Sequence, residues 1–180
     1  EAEEIFWQKI SDFPDVKISS IVVDSAGVIF AGSRGNGIYR SDDKGKSWEN
    51  VEHGENVYDM IIAPDGRIYA ATEGNGVMRS NTGGNFWDEV NTGIEDNLVG
   101  KKTIRALAVD SNGVLFAGMQ LGGIYKSDDG GDNWTRLAEA TFTDNKTIQT
   151  LQITPNGKIF AGTYQNGVYY SASGGSKLVS

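Results

Sequence analysis

Residues 18–48 read ISSIVVDSAGVIFAGSRGNGIYRSDDKGKSW. A first apolar run, Ile21 to Val23, ends in a turn closed by Gly27, and a second run, Val28 to Ala31, follows. Asn36-Gly37 comes next. That dipeptide readily takes the positive φ that both central positions of a type I′ hairpin turn require. A third run holds Ile38 and Tyr39, and after a polar loop a fourth starts at Trp48 and includes Val51. Short apolar runs separated by turn residues predict four strands of one antiparallel sheet.

The stretch recurs three times without a gap: VYDMIIAPDGRIYAATEGNGVMRSNTGGNFW over 57–87, IRALAVDSNGVLFAGMQLGGIYKSDDGGDNW over 104–134 and IQTLQITPNGKIFAGTYQNGVYYSASGGSKL over 148–178. Gly27, Gly66, Gly113 and Gly157 are spaced by 39, 47 and 44 residues, and Ser41, Ser80, Ser127 and Ser171 repeat those intervals. The length differences therefore lie between the aligned stretches. One such sheet cannot bury both faces alone, so neighbouring units must stack. A period of about 40 with four strands per unit predicts an all-β fold, a β-propeller of about four four-stranded antiparallel blades. A single domain over 1–180 is expected, with repeats at approximately 18–51, 57–90, 104–137 and 148–180.

The loop between the third and fourth strands carries a family signal. Ser41-x-Asp43-x-Gly45-x-x-Trp48 and Ser127-x-Asp129-x-Gly131-x-x-Trp134 resemble the Asp-box, or BNR, repeat. Ser80-x-Thr82-x-Gly84-x-x-Trp87 lacks the Asp, and Ser171-x-Ser173-x-Gly175-x-x-Leu178 lacks both Asp and Trp. Ser and Asp can accept backbone N–H bonds across a tight loop, Gly supplies positive φ, and Trp buries a large apolar surface. The resemblance covers nearly the whole chain and implies that these boxes are folding elements. A Ca²⁺ site built from Asp42, Asp43, Asp128 and Asp129 lacks EF-hand spacing, and neither a metal nor a cofactor is expected.

Trp7-Gln8-Lys9-Ile10 resembles the fourth strands at Trp48, Trp87 and Trp134 but has no repeat before it, while the last repeat lacks its Trp. Residues 5–10 are therefore expected to act as a closing outer strand of the last blade. A closed four-blade ring, half of a larger propeller completed by a homodimer, and an open fragment remain alternatives, with the closed ring favoured.

Composition narrows the partners. The formal net charge is −8 and the basic residues are scattered, which disfavours nucleic acid and anionic membranes. No apolar run approaches the roughly 20 residues of a membrane span. Absence of cysteine removes disulfides and thiol chemistry. No signal peptide stands at the start, which suits a cytosolic chain or a mature secreted one.

The resemblance implies a binding face formed by the connections between second and third strands and between fourth and first strands, opposite the Asp-boxes. Two positions there differ in every repeat while their neighbours hardly change: Arg34, Glu73, Gln120 and Tyr164 after the second strands, and Ser19, Tyr58, Arg105 and Gln149 at the starts of the first. These are the candidate ligand-binding residues, suited to a protein, glycan or other polar small molecule. The longer connections, Asn91 to Lys102 and Ala138 to Lys146 with Phe142, add surface.

The family includes sialidases, which hold a substrate carboxylate with three arginines and use a Tyr nucleophile. Of the six arginines only Arg34 and Arg105 map to that face, and the family's Phe/Tyr-Arg-Ile-Pro motif is absent. Catalysis is therefore not expected. The resemblance is stronger to non-enzymatic members, namely secreted proteins, periplasmic sensor regions and photosystem assembly factors. It implies an extracellular or periplasmic binding or interaction module. The alternatives are a glycan-binding or sialidase-related hydrolytic protein and an excised or engineered fragment.

Overall fold

The computed structural model describes residues 9–10, 12–97, 100–137, 146–171 and 178–179. All regular structure among them is β. The first blade is β1 (Ile18–Val23), β2 (Ile29–Ser33), β3 (Ile38–Ser41) and β4 (Glu49–Glu52); the second is β5 (Val57–Ile62), β6 (Ile68–Gly74), β7 (Val77–Ser80) and β8 (Asp88–Glu89). The third is β9 (Lys102–Val109), β10 (Leu115–Met119), β11 (Gly123–Ser127) and β12 (Thr135–Arg136); the fourth is β13 (Ile148–Ile153), β14 (Ile159–Thr163), β15 (Val168–Ser171) and β16 (Leu178–Val179). Within each blade the strands pair in chain order and antiparallel, as in a β-propeller.

Period-2 alternation gives each blade two apolar faces, and three cores form between successive blades. Phe30 and Ile38 of the first blade meet Val57, Met60, Ile68 and Ala70 of the second. Tyr69, Ala71 and Val77 meet Ile104, Leu107, Leu115 and Ala117. Phe116 and Ile124 meet Ile148, Leu151, Ile159 and Ala161. Each fully buried side chain of this size contributes about 1.5–3 kcal/mol. Small residues on the second strand let the blades approach: a Cβ at Gly32 would stand 2.6 Å from Val57 Cγ1, and one at Gly118 would stand 2.5 Å from Ile148 Cγ2.

The expected type I′ turns do not form. Positive φ falls on Gly35 and Gly37 rather than on Asn36, and likewise on Leu121 and Gly123 and on Gln165 and Gly167. The loop is closed by a backbone bond to the carbonyl four residues on, which a hydroxyl reinforces where one is present: Ser33 donates both its N–H and its Oγ–H to the Gly37 carbonyl, at 2.9 Å each, and Thr72 donates likewise to Gly76 at 2.9 and 3.0 Å, while Met119 has no hydroxyl and its loop keeps the same pattern of φ. The loop is widened by this ring closure, which leaves Arg34 to Asn36 exposed beyond it.

The Ser-x-Asp-x-Gly-x-x-Trp loops have one internal geometry. Asp43 Oδ1 accepts from Lys46 N, Ser47 N and Ser41 Oγ, each at 2.9 Å, while Gly45 N donates to Ser41 Oγ at 2.8 Å. Asp129 accepts from Ser127 Oγ and Asn133, and Gly131 N donates to Ser127 Oγ. In the second blade Thr82 Oγ1 replaces the carboxylate, accepting from Phe86 N at 2.9 Å, while Gly84 N donates to Ser80 Oγ. Trp48 and Trp87 donate Nε1–H to Gly45 O and Gly84 O, whereas Trp134 donates to Val90 O of the preceding blade. Asp42 and Asp128, weighed above as cation ligands, pair with Arg40 and Lys126.

The second and third blades are also joined edge to edge. β6 and β9 run past their own blades and pair at Glu73↔Thr103 and Gly74↔Lys102, which makes one eight-stranded sheet.

Among the described residues the ring does not close. β1 packs on β5, β5 on β9 and β9 on β13, and no comparable packing joins β13 to β1. Ile18, Ile21 and Val23 on one end and Phe160, Val168 and Tyr170 on the other are exposed, although their counterparts in the three interior interfaces are buried or partly buried. Of the expected closing strand at residues 5–10, residues 5–8 lie outside the described residues, and Lys9 and Ile10 are not in a strand. The edge of β15 is occupied by β16, through Tyr170↔Val179 and Ser171↔Leu178. Phe142, and the box residues Ser173 and Gly175, also lie outside the described residues.

Candidate functional site

At four equivalent places a residue at or just past the end of the second strand donates its backbone N–H to a residue at or just before the start of the first. The pairs are Arg34 to Lys17 O, Glu73 to Asn56 O, Gln120 to Thr103 O and Tyr164 to Thr147 O, all at 2.9–3.0 Å. This shared backbone sets the variable side chains side by side at one end of the blades. The scaffold is constant there and the chemistry is not.

In the first three blades these side chains join. Tyr58 lies between two guanidinium groups: Arg34 Cζ is 4.0 Å from its ring centroid and Arg105 Cζ is 4.1 Å. Such stacking is worth about 0.5–2 kcal/mol per cation, depending on desolvation. The Tyr58 hydroxyl donates to Glu73 Oε2 at 2.9 Å, and Asn56 Nδ2 donates to the same oxygen at 2.6 Å. Arg105 donates Nε–H and Nη2–H to Gln120 Oε1 at 2.9 and 2.7 Å. Gln120 is held from behind, because Asn97 Nδ2 donates to its carbonyl at 3.0 Å.

Electrostatics follow from these contacts. The Tyr58 bond holds the Glu73 carboxyl below the usual range, helped by Asn56 and by the charges of Lys101 and Arg105, so Glu73 is ionised at neutral pH. Burial and the Glu73 bond push the Tyr58 hydroxyl up, so it stays protonated. Arg34 is exposed and its guanidinium carries no hydrogen bond among the described residues. Two guanidinium groups against one carboxylate leave the cluster locally positive on a chain of net charge −8.

Arg34, Tyr58, Glu73, Arg105 and Gln120 thus form one network. The other three candidates stand apart from it. Ser19 Oγ donates to Val57 O at 2.5 Å and to Gly32 O at 3.1 Å, so this short side chain stitches the first blade to the second. Gln149 and Tyr164 lie at the equivalent places of the fourth blade, both exposed and hydrogen-bonded to none of the five. Asn56 was missed because it stands two residues before Tyr58, outside the two positions compared. Its own signal was available, since Lys17, Thr103 and Thr147 vary at the matching place.

Asp59, an acid on the same face, has a different role. Burial pushes its carboxyl up, while Oδ2 accepts from Leu107 N at 2.9 Å and Oδ1 from Met60 N at 2.9 Å. Ser20 Oγ donates to Oδ1 from the first blade at 3.4 Å. Asp59 therefore ties three blades together at their inner strands. A concave space of ≈ 650 Å³ lies at the opposite end, between the turns at Val109–Asn112 and Ile153–Gly157, and it contains no cluster of titratable groups. Among the described residues no group of three or more His, Asp or Glu converges as metal ligands, and no helix is long and apolar enough to cross a membrane.

No curated protein matches the sequence. Several solved structures share the fold. The extracellular domain of BT4673 from B. thetaiotaomicron, described as a one component system, is 19% identical with a TM-score of 0.77, over 96% of this chain and 23% of that one. PorZ, a surface component of the type-IX secretion system of Porphyromonas gingivalis, is 19% identical with a TM-score of 0.67, over 95% and 28%. The Niastella koreensis GH74 enzyme is 20% identical with a TM-score of 0.71, over 95% and 30%. The chain therefore spans less than a third of the length of each of these three proteins. At these identities the likeness concerns the fold alone. A family model described as the DUF6242 beta propeller domain matches residues 1–99, more than half of the sequence, and the chain belongs to that family.

Proposed function

We propose that this chain is a non-catalytic, extracellular or periplasmic binding module of the Asp-box type, whose ligand is polar and carries a carboxylate or similar anionic group. The observation that carries the reading is the Arg34–Tyr58–Arg105 stack with Glu73 and Gln120 fixed around it. An aromatic ring with both faces covered by guanidinium groups is a rigid, pre-oriented cationic surface, and pre-orientation lowers the entropy lost on binding. The exposed Arg34 offers donors for a bidentate anion contact. The two propeller neighbours that are an extracellular domain and a secretion-system surface component support the location. A non-catalytic role is supported by the acids of this face. Glu73 Oε2 is held by two donors and is ionised, and Asp59 is bound to backbone N–H groups.

A hydrolytic reading has one observation in its favour, the hydrogen bond between Tyr58 and Glu73. A tyrosine nucleophile needs a carboxylate partner, as in sialidases. Against it, both guanidinium groups lie over the ring rather than beside a substrate carboxylate position, and the hydroxyl is pushed up.

A glycan array spanning neutral and acidic sugars tests both readings. Binding confined to acidic glycans, weakened about tenfold or more by Arg105→Ala or Tyr58→Ala, is the expected result. Ligands that bind both variants as well as the unaltered chain place the site elsewhere. Release of free sugar from the bound spots, lost in Tyr58→Phe, establishes hydrolysis instead.

A further inference from the structure

The four inner strands present their variable residues through the same irregularity. The register of β5 on β6 passes from Val57↔Thr72 to Asp59↔Ala71, so Tyr58 is the extra residue of a β-bulge. Ser19, Arg105 and Gln149 are skipped in the same way on β1, β9 and β13. A bulge leaves its extra residue out of the ladder, and no cross-strand partner fixes where that residue stands. The place of Arg105 over Tyr58 is therefore set by what holds β9 on either side of it.

Both holds come from the second blade. Before Arg105, Thr103 pairs with Glu73 across the seam between β9 and β6. After it, Leu107 donates its N–H to Asp59 Oδ2 at 2.9 Å. Asp59 follows Tyr58 in the chain, and Glu73 accepts from the Tyr58 hydroxyl. The ring, and the strand that lays a guanidinium group on it, are thus held by the same two acids.

The other junctions show that blades join without a charge at this place. At the first junction Ser20 stands where Asp59 stands at the second, and its Oγ accepts from Met60 N at 3.1 Å. At the third junction the residue is Ala106, which offers no side-chain acceptor, and in the fourth blade it is Thr150. The acid occurs only beside the stack, and it is costly there. Of the strands packed on β5, β1 and β2 carry no charged or titratable group, β6 carries Tyr69 and Glu73, and β9 carries Lys102 and Arg105. No cation among them compensates Asp59. Burial raises its carboxyl, opposed by the N–H groups of Leu107 and Met60 and by Ser20 Oγ. A partly buried carboxylate without a cation lowers stability, where a serine would not.

We propose that Asp59 is a positioning residue for the ligand surface, whose charge sets how firmly Arg105 is held over Tyr58, so that acidification loosens the surface without unfolding the chain. A hydrogen bond to a carboxylate is roughly twice as strong as one to a neutral acceptor. A proton on Oδ1, facing Ser20 Oγ, leaves Oδ2 as a neutral acceptor for Leu107 N, and the tie on β9 weakens. The same proton does not endanger the fold. A carboxyl raised in the folded chain stabilises it when protonated, fully below the ordinary value of 3.8, and that contribution is lost as pH rises through the raised one. Glu73, held below its usual range, is still ionised over this window. Control of ligand binding in this way rests on the stack being the ligand surface, but the stack itself can be read with no ligand present.

Nuclear magnetic resonance between about pH 7 and pH 4 covers the window. Side-chain resonances of Arg105 are displaced by the ring beneath them, and Tyr58→Leu identifies that displacement by removing it. On acidification of the unaltered chain it is expected to shrink together with a shift of the Leu107 amide, on one midpoint above 3.8, while the indole resonances of Trp48 and Trp134 stay in place. Asp59→Asn, neutral with one acceptor oxygen, is expected to show the acid values of both signals at every pH, and Glu73→Gln to leave the Leu107 midpoint unchanged. The titration of the unaltered chain decides the matter alone if Asp59→Asn loses its dispersed spectrum. Separate midpoints, an Arg105 displacement that stays constant through the Leu107 transition, or an Asp59→Asn variant with the unaltered chain's neutral-pH displacement would each overturn the proposal. The expected shifts without any glycan bound would establish the hold of Asp59 on Arg105 and overturn only the ligand reading.

Discussion

Asp43 and Asp129 show how much of a tight loop one carboxylate can organise. Each is held at about 2, well below the ordinary 3.8, by the bonds it accepts, from Ser47 first for Asp43 and from Asn133 first for Asp129. A carboxylate whose folded value is depressed stabilises the native state above its unfolded value, and loses that contribution as pH falls toward the folded one. The thermal midpoint is therefore expected to drop between about pH 4 and pH 2 by more than in an Asp43→Asn, Asp129→Asn double variant. Circular dichroism melts at half-unit intervals read the difference, and parallel curves would show that the two loops do not titrate this way. Thr82 fills the same place in the second blade without a charge, so that loop should be indifferent to acid over this window.

The side chains that cluster were legible for a related reason. Arg34, Tyr58, Glu73, Arg105 and Gln120 sit at two positions where the repeats disagree, and the common backbone brings those positions together. What pattern alone could not show is which side chains reach one another. Ser19 is too short to reach the cluster and bonds to Val57 O instead, and Tyr164 and Gln149 have only the open end of the fourth blade beside them.

At the scale of elements, alternation and turn residues marked all four strands of each repeat, because a half-buried strand between two neighbours needs that pattern. The hairpin turns were misread for a local reason. Asn36-Gly37 suits a type I′ turn in isolation, but the chain closes a wider loop through the Ser33 N–H bond to the Gly37 carbonyl, and the third blade does so with Met119 in place of Ser33. Close approach of the blades rests on small residues. Gly32→Val places branched carbons where Val57 and Met60 now lie, and overpacking of this kind costs about 1–3 kcal/mol. Urea denaturation is expected to show that loss with an unchanged slope. Gly27→Ala, at a turn with nothing within 4 Å, separates crowding from backbone strain.

At the scale of the whole molecule, stacking was legible and closure was not. Four copies of a two-faced sheet must pack on one another, and the three shared cores are the outcome. Whether the last blade returns to the first depends on the angle accumulated between sheets, which the thickness of the packed side chains sets and a repeat pattern does not encode. The missing Trp of the last repeat suggests that the N-terminus seals the ring; Leu178–Val179 lies on that edge, and residues 5–8 of the expected closing strand lie outside the described residues.

The seam between β6 and β9 has a consequence for how the protein comes apart. In a linear array, stability is shared between units and their contacts, and the outermost units open first. Hydrogen bonds across Glu73↔Thr103 and Gly74↔Lys102 add a tie that the other two junctions lack. The second and third blades should therefore behave as a central keystone from which the flanking blades peel. Native-state amide exchange is expected to be slowest in β6, β9 and β10, with β1 and β15 exchanging through smaller openings. Uniform protection from one end to the other would mean that the array opens as a single unit.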